Sequence, residues 1–281
     1  MDALTLCGKT EIPCLGEGFV RLVDCMPRLV PEGRTLEVAI VRSARVSYGQ
    51  GVKDKATDDK LIRFLYRNRH TSPFESVEFQ FHIRCPMYVR THFIRHRTAN
   101  VNEFSQRYRE VKDEAYYKPS EHDTGIRGQA KLNKQGSETL QDKSKLQEIC
   151  KQTEDSVDHT FELYHQLLKE GMSRETARFC LPNSTWTELY YKMDLHNLLH
   201  MLKLRMDPHA QAETVTYATA IYELIKPLVP VVMSAFEDYT LNSVTLSKLE
   251  VDALRDGKDL PKEAGVAEKE EFEKKKKLFV K

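Results

Sequence analysis

SVEFQFHIR, residues 76–84, puts Val77, Phe79, Phe81 and Ile83 on one side of an extended chain and Glu78, Gln80 and His82 on the other. A period of two is the signature of a strand with one buried and one wet face. GFVRLVDC (18–25) alternates in the same way, so two half-buried strands are predicted early in the chain. Between them, TDDKLIRFLYRN (57–68) carries Leu61, Phe64 and Leu65 at helical spacing, with Thr57 or Asp58 available as a cap. Beyond Pro86, MYVRTHFIRHR (87–97) reads as helix, which the Asn-containing TANVNE (98–103) ends or interrupts.

Residues 118–140 are rich in Gly, Ser, Lys and Gln and read as a long surface loop. The second half is helical in pattern. One amphipathic stretch over 146–170 stops at Gly171, and SRETARFCLP (173–182) has Ser173 as a cap and Pro182 as a stop. DLHNLLHMLKLR (194–205) and the apolar run 212–236 complete a body of residues 1–257. From 258 the charged run is expected to be a solvated helix or a disordered tail.

A chain of 281 residues can bury a sizeable core. Its 43 basic and 42 acidic side chains nearly cancel, leaving a formal charge of +1. That argues against a nucleic-acid coat, whose affinity needs many uncompensated cations, while leaving room for a local basic pocket. The six cysteines form no CxxC pair, so neither a zinc ribbon nor a redox dithiol is suggested. With no signal-type segment and no apolar run of membrane-spanning length, reduced thiols in a cytoplasmic protein are expected.

Chemistry concentrates in RHRTANVNEFSQRY (95–108), where Arg95, Arg97 and Arg107 accompany His96, Glu103 and Ser105. Arginine gives planar, bidentate recognition of phosphate, and a serine hydroxyl with nearby backbone N–H groups completes a cradle. Glu103 could fix arginines or accept a ribose hydroxyl. The plainer alternative is a charged helix end with surface ion pairs, each worth roughly 0–1 kcal/mol. His196 and His200 share one helix face as zinc ligands can, but HNLLH lacks the HExxH glutamate and no third ligand is fixed by spacing. Cys85 and Cys180 have no paired basic residue to make a thiolate, and no GxGxxG follows a strand.

The order of these residues, Arg-His-Arg, seven residues, then Ser, with NExSxRY nested inside, resembles the signature of the flavin-dependent thymidylate synthase family. RHTSPFES (69–76), SRETARFCLP and LLHMLKLRMDPHAQAE (198–213) resemble further segments of that family in order and spacing, so the likeness covers roughly residues 17 to 236. The resemblance implies an α+β fold, a central antiparallel sheet with flanking helices, assembled as a homotetramer with shared active sites. It implies methylation of deoxyuridine monophosphate (dUMP) to dTMP. The methylene comes from 5,10-methylenetetrahydrofolate and the hydride from FAD reduced by NADPH, without a cysteine nucleophile.

Carried residue by residue, the resemblance implies a catalytic role for Arg205, which would stabilise charge on the uracil ring, and for His70, beside the flavin. FAD contacts fall on Ser72, Arg95, His96, Arg97, Glu103, Asp194, Leu195, His196, His200 and His209. Nucleotide contacts fall on His92, Phe93, Ile94, Arg95, Glu103, Phe104, Ser105, Gln106, Arg107, Arg178 and Arg205. No metal is implied. The chain departs from the pattern twice, with His92 where many members carry Gln and Asn100 where Ser is common. Histidine replaces the donor of that amide but not its full pattern. On residues alone, Arg178 is an i,i+3 partner of Glu175 and Arg205 a helix-C-terminal cation favoured by the dipole.

Overall fold

The computed structural model describes residues 7–49, 51–112, 115–122, 125–130, 136–140, 142–261 and 263–279. The chain divides into two compact units, 1–233 and 234–281. In chain order the first holds β1 (Glu11–Cys14), β2 (Gly18–Met26), α1 (Val38–Arg45), α2 (Lys55–Arg67), β3 (Glu78–Pro86), α3 (Met87–Phe93) and β4 (Asn100–Glu103). There follow β5 (Gly128–Gln129), β6 (Ser137–Glu138), α4 (Ser144–Lys169), the short α5 (Arg174–Ala177), β7 (Trp186–Asp194), α6 (Leu195–Arg205) and α7 (Ala212–Ile225). The division falls within α8 (Pro230–Phe236); α9 (Lys248–Asp256) and α10 (Val266–Lys276) belong to the second unit.

Five strands make one antiparallel sheet in the order β1-β2-β3-β7-β4. The fold is thus mixed α+β around a central antiparallel sheet. The alternation in 76–84 sets its faces: Phe79, Phe81 and Ile83 lie opposite Met193, Tyr191 and Leu189 and are fully buried. Each such aromatic or aliphatic side chain contributes about 2–3 kcal/mol by leaving water. On the other face Glu78, Gln80 and His82 stay half exposed, with Lys192 held to Glu78 at 2.7 Å and His82 stacked on Tyr190. The buried face is covered by α7, whose Tyr217 hydroxyl donates to the Arg84 carbonyl at 2.8 Å. That hydroxyl passes over Gly18, where an added Cβ would lie 2.0 Å from it, so only glycine admits the contact.

Several boundaries differ from the expectation. The cap of α2 is Asp54, whose Oδ1 accepts from the Thr57 N–H at 2.9 Å, rather than Thr57 or Asp58. Asp58 is turned inward instead, 1% exposed, between Arg45 (2.6 Å) and Arg34. The helix expected over 87–97 ends at Phe93, because TANVNE supplies the edge strand β4, which pairs with β7 through Asn100↔Lys192 and Glu103↔Leu189. Ser173 stands at the cap position of α5, but its hydroxyl meets Thr176 Oγ1 at 3.0 Å and caps no backbone N–H. The run 212–236 is two helices broken around Pro227. Within 118–140 a turn at Pro119–Glu121 and the β5–β6 pair form, while 123–124 and 131–135 lie outside the described residues.

In the second unit, α9 begins with a reciprocal cap, the Glu250 N–H donating to Ser247 Oγ at 3.2 Å and the Ser247 N–H to Glu250 Oε2 at 2.6 Å. The charged run beyond 258 forms α10 with a small core of its own. Phe272, 1% exposed, packs with Ala253 and Leu260, and Lys275 reaches Glu250 at 2.9 Å. Residues 262, 280 and 281 of that run lie outside the described residues. Among the described residues no helix is long and apolar enough to cross a membrane.

Candidate active site

β7 runs without a break into α6. Asp194 closes the strand and caps the helix, its Oδ1 accepting from the Asn197 N–H at 3.0 Å. Eleven residues later α6 ends at Arg205, half buried, whose Nε donates to His96 Nε2 at 3.0 Å. The His96 ring also meets His200 edge-on, with ring centres 6.3 Å apart. Burial first, then the Arg205 guanidinium and His200, push the His96 pKa down to about 4. Burial also holds Arg205 below the usual arginine value. His92, one turn earlier on α3, faces the same Arg205; burial and then Arg205 lower its pKa, Glu213 opposes them, and Arg95 lowers it further. This cluster therefore sets a fixed cation against neutral imidazoles, an arrangement suited to a planar ligand that gains negative charge.

A second cluster forms where the turn 105–109 meets α5. The Arg107 N–H donates to Ser105 Oγ at 3.3 Å, and Arg107 Nε reaches Glu175 Oε2 at 2.9 Å. Arg178 Nε donates to the Glu175 carbonyl at 3.3 Å, so the i,i+3 pairing is made through backbone and the Glu175 carboxylate serves Arg107. Arg107, Glu175 and Arg178 are exposed, which makes the pair weak and easily exchanged for another anion. Among the described residues no hydrogen bond or ion pair joins this cluster to Arg205 and His96.

Glu103 points elsewhere. Its Oε2 receives Arg90 Nε at 2.7 Å and its Oε1 the Thr187 hydroxyl at 2.9 Å, so it fixes an arginine the sequence reading did not single out. Arg95 and Arg97 are exposed and have no carboxylate partner among the described residues. Phe93 and Leu195 are fully buried; Phe93 packs on Tyr191 and Tyr217, leaving only backbone at these positions for a ligand. Gln106 is buried with its amide against Met87 Sδ at 3.6 Å, while Ile94 and Phe104 are half buried. His196 is half buried, and His209 is exposed with its Nδ1 2.9 Å from Asp207.

His70 and Ser72 sit together at a cleft of about 590 Å³ whose walls include Phe64, Leu61, Thr57 and Arg45. The His70 ring lies 6.0 Å from Phe64, and α6 packs against the adjoining turn Ser72–Ser76. Arg45, locked by Asp58, is a cation of this cleft that sequence reasoning missed; its signal was a lone arginine on the buried side of VAIVRSAR. Cys85, fully buried, has its thiol pushed up by desolvation, away from thiolate formation.

Fold and site together define a protein whose helix-backed antiparallel sheet carries two arginine clusters and a histidine-lined cleft. Residues 28–231 match the family model described as thymidylate synthase complementing protein. The chain is 48% identical over 272 residues to the flavin-dependent thymidylate synthase of Dictyostelium discoideum, covering 96% of this chain and 88% of that one. It is 46% identical over 249 residues to that of Thermus thermophilus, covering 88% and 86%. Among solved structures it is similar to a UMP/dUMP methylase, PolB of Streptomyces cacaoi bound with 5-Br dUMP. The TM-score there is 0.69 and the identity 31%, over 82% of this chain and 98% of that one. The chain belongs to the flavin-dependent thymidylate synthase family, a family of methyltransferases.

Proposed function

We propose that the protein methylates dUMP at C5 to give dTMP, using 5,10-methylenetetrahydrofolate as methylene donor. The observation that carries this reading is the 3.0 Å bond from Arg205 to His96, which joins the end of α6 to the Arg-His-Arg segment. FAD, reduced by NADPH, supplies the hydride when bound. The chain's residues fit such a group. Arg95 and Arg97 are cations without carboxylate partners among the described residues, as a diphosphate requires, and His70 and Ser72 border a cleft wide enough for a ring. Asp194, Leu195, His196, His200 and His209, on or beside α6, are the further FAD contacts of this reading.

The nucleotide's phosphate is received by Ser105, Arg107 and Arg178, displacing the Glu175 carboxylate from Arg107. Arg205 faces the uracil ring. A guanidinium is no general base, since arginine stays charged at any pH the enzyme meets. It acts by stabilising the negative charge that grows on N3 and O4 as C5 is activated. His92, Phe93, Ile94, Phe104 and Gln106 shape the rest of the nucleotide site, Glu103 holds Arg90, and His70 orders the ring at the cleft.

In this reading the protein is a cytoplasmic homotetramer whose catalytic body spans residues 1–257, with 258–281 as an appendage. The test is an absorbance spectrum of the purified protein with and without NADPH and dUMP. A yellow protein bleached by NADPH and reoxidised by air is expected, and colourless protein that cannot be reconstituted with FAD would overturn the reading. Arg205→Ala should keep the flavin colour yet release no tritium from C5-labelled dUMP; wild-type release would remove Arg205 from the chemistry.

A further inference from the structure

The seam between α3 and α7 carries two cross-helix hydrogen bonds one turn apart. The Tyr88 hydroxyl donates to Glu213 Oε1 at 3.2 Å, and Thr214 Oγ1 lies 2.9 Å from His92 Nδ1. Thr214 is the third residue of α7, completely buried, and His92 Nδ1 is the one partner its hydroxyl has among the described residues. Thr216, by contrast, turns its hydroxyl back to the Ala212 carbonyl at 3.2 Å. We infer that Thr214 is a positioning residue that donates its hydroxyl proton to His92 Nδ1 and so fixes His92 as the tautomer with its proton on Nε2.

Two facts make the assignment. A buried hydroxyl hydrogen with no acceptor costs the full desolvation of the group. If Nδ1 carried the proton, it would donate to the threonine oxygen, and the threonine hydrogen would be left without an acceptor among the described residues. The imidazole is also neutral, so it holds a single proton to be placed. The charged groups around it are Arg205 from α6, Arg95 from its own segment and Glu213 from α7, and the Glu213 carboxylate is engaged by Tyr88.

The tautomer decides what His92 shows a ligand. Nε2–H, with no partner among the described residues, is a donor and only a donor. Such a group selects an acceptor oxygen on the nucleotide and rejects a donor at the same place. This deepens the reading of the site as a dUMP site and rests on it. It also gives a physical account of how a histidine serves where many relatives use an amide: Thr214 supplies the fixed polarity that an amide has built in.

The experiment is long-range ¹H–¹⁵N correlation on the FAD-loaded full chain, the His92 signals being assigned by their loss in His92→Gln. Wild type is expected to show an unprotonated Nδ1 and a protonated Nε2. Thr214→Val, which keeps the shape and removes the hydroxyl, should move His92 to a mixture of tautomers and weaken dUMP binding about fivefold. Thr214→Ser, which keeps the hydroxyl, should restore both. A protonated Nδ1 in wild type overturns the inference without any variant. An unchanged tautomer in Thr214→Val does so as well. The stated tautomer in a protein that binds no dUMP would leave the Thr214–His92 assignment standing and overturn the nucleotide reading instead.

Discussion

Replacing Arg205 by glutamine should change the acid stability of the protein chiefly through His96, the ring it bonds, with a smaller part through His92. The Arg205 guanidinium donates to His96 Nε2 at 3.0 Å, so a protonated ring would set an N–H against an N–H and two like charges side by side. Burial, Arg205 and His200 together bring the His96 pKa from 6.5 to about 4. The unfolded chain then binds more protons than the native one between those values, and stability falls as pH drops through that window. The full difference corresponds to about 3 kcal/mol, at about 1.4 kcal/mol per pH unit. His96 is half exposed, so solvent screening reduces this to roughly 1–2 kcal/mol. Arg205→Gln removes one of the three causes. The native pKa should rise by about one unit, narrowing the window and recovering part of the loss at pH 5 relative to pH 7.5. Imidazole titration by NMR and urea unfolding at the two pH values measure both quantities. A wild-type His96 that titrates near its ordinary value, or one unmoved by Arg205→Gln, would refute the coupling.

Asp58→Asn should destabilise the first unit by about 3 kcal/mol, because Arg45 and Arg34 would keep their buried charge without its partner. A urea midpoint within error of wild type would show that water already screens the cluster. Phe272→Ala removes the centre of the Ala253–Leu260–Phe272 core and should abolish amide protection in α10, at a cost of about 3 kcal/mol. Flavin colour and tritium release should be unchanged, and their loss would show that the C-terminal unit takes part in the chemistry.

The sheet was legible where alternation stood alone. GFVRLVDC and SVEFQFHIR became β2 and β3, and the second shifted by two residues because Pro73 and Phe74 are buried in the turn before it. β7 carries the same period in Leu189, Tyr191 and Met193, but adjacent Tyr190 and Tyr191 blur the contrast, and the helix that continues it masks its end. β4 had no such signal: NVNE is a polar edge strand defined only by its pairing with β7. The candidate site residues stood out in the sequence as motif positions and not as partners. Arg107 meets Glu175 across 68 positions and Thr214 meets His92 across 122, distances over which no local pattern extends. Local spacing offered Thr57 or Asp58 as the cap and missed that Asp58 is buried, since its partner Arg34 lies 24 residues away.

The unbroken passage from β7 into α6 makes the chain its own ruler. Asp194 is pinned to the sheet by its register with Glu78, and Arg205 stands 11 residues further along a single helix, about 16 Å away. Position along that helix is also angle: one residue added anywhere between them would advance Arg205 by about 1.5 Å and swing it by about 100° around the axis. The guanidinium would leave His96 although every side chain had been kept. Spacing there holds the Arg205–His96 bond as much as identity does, and the segment from 194 to 205 can vary in letters but not in length.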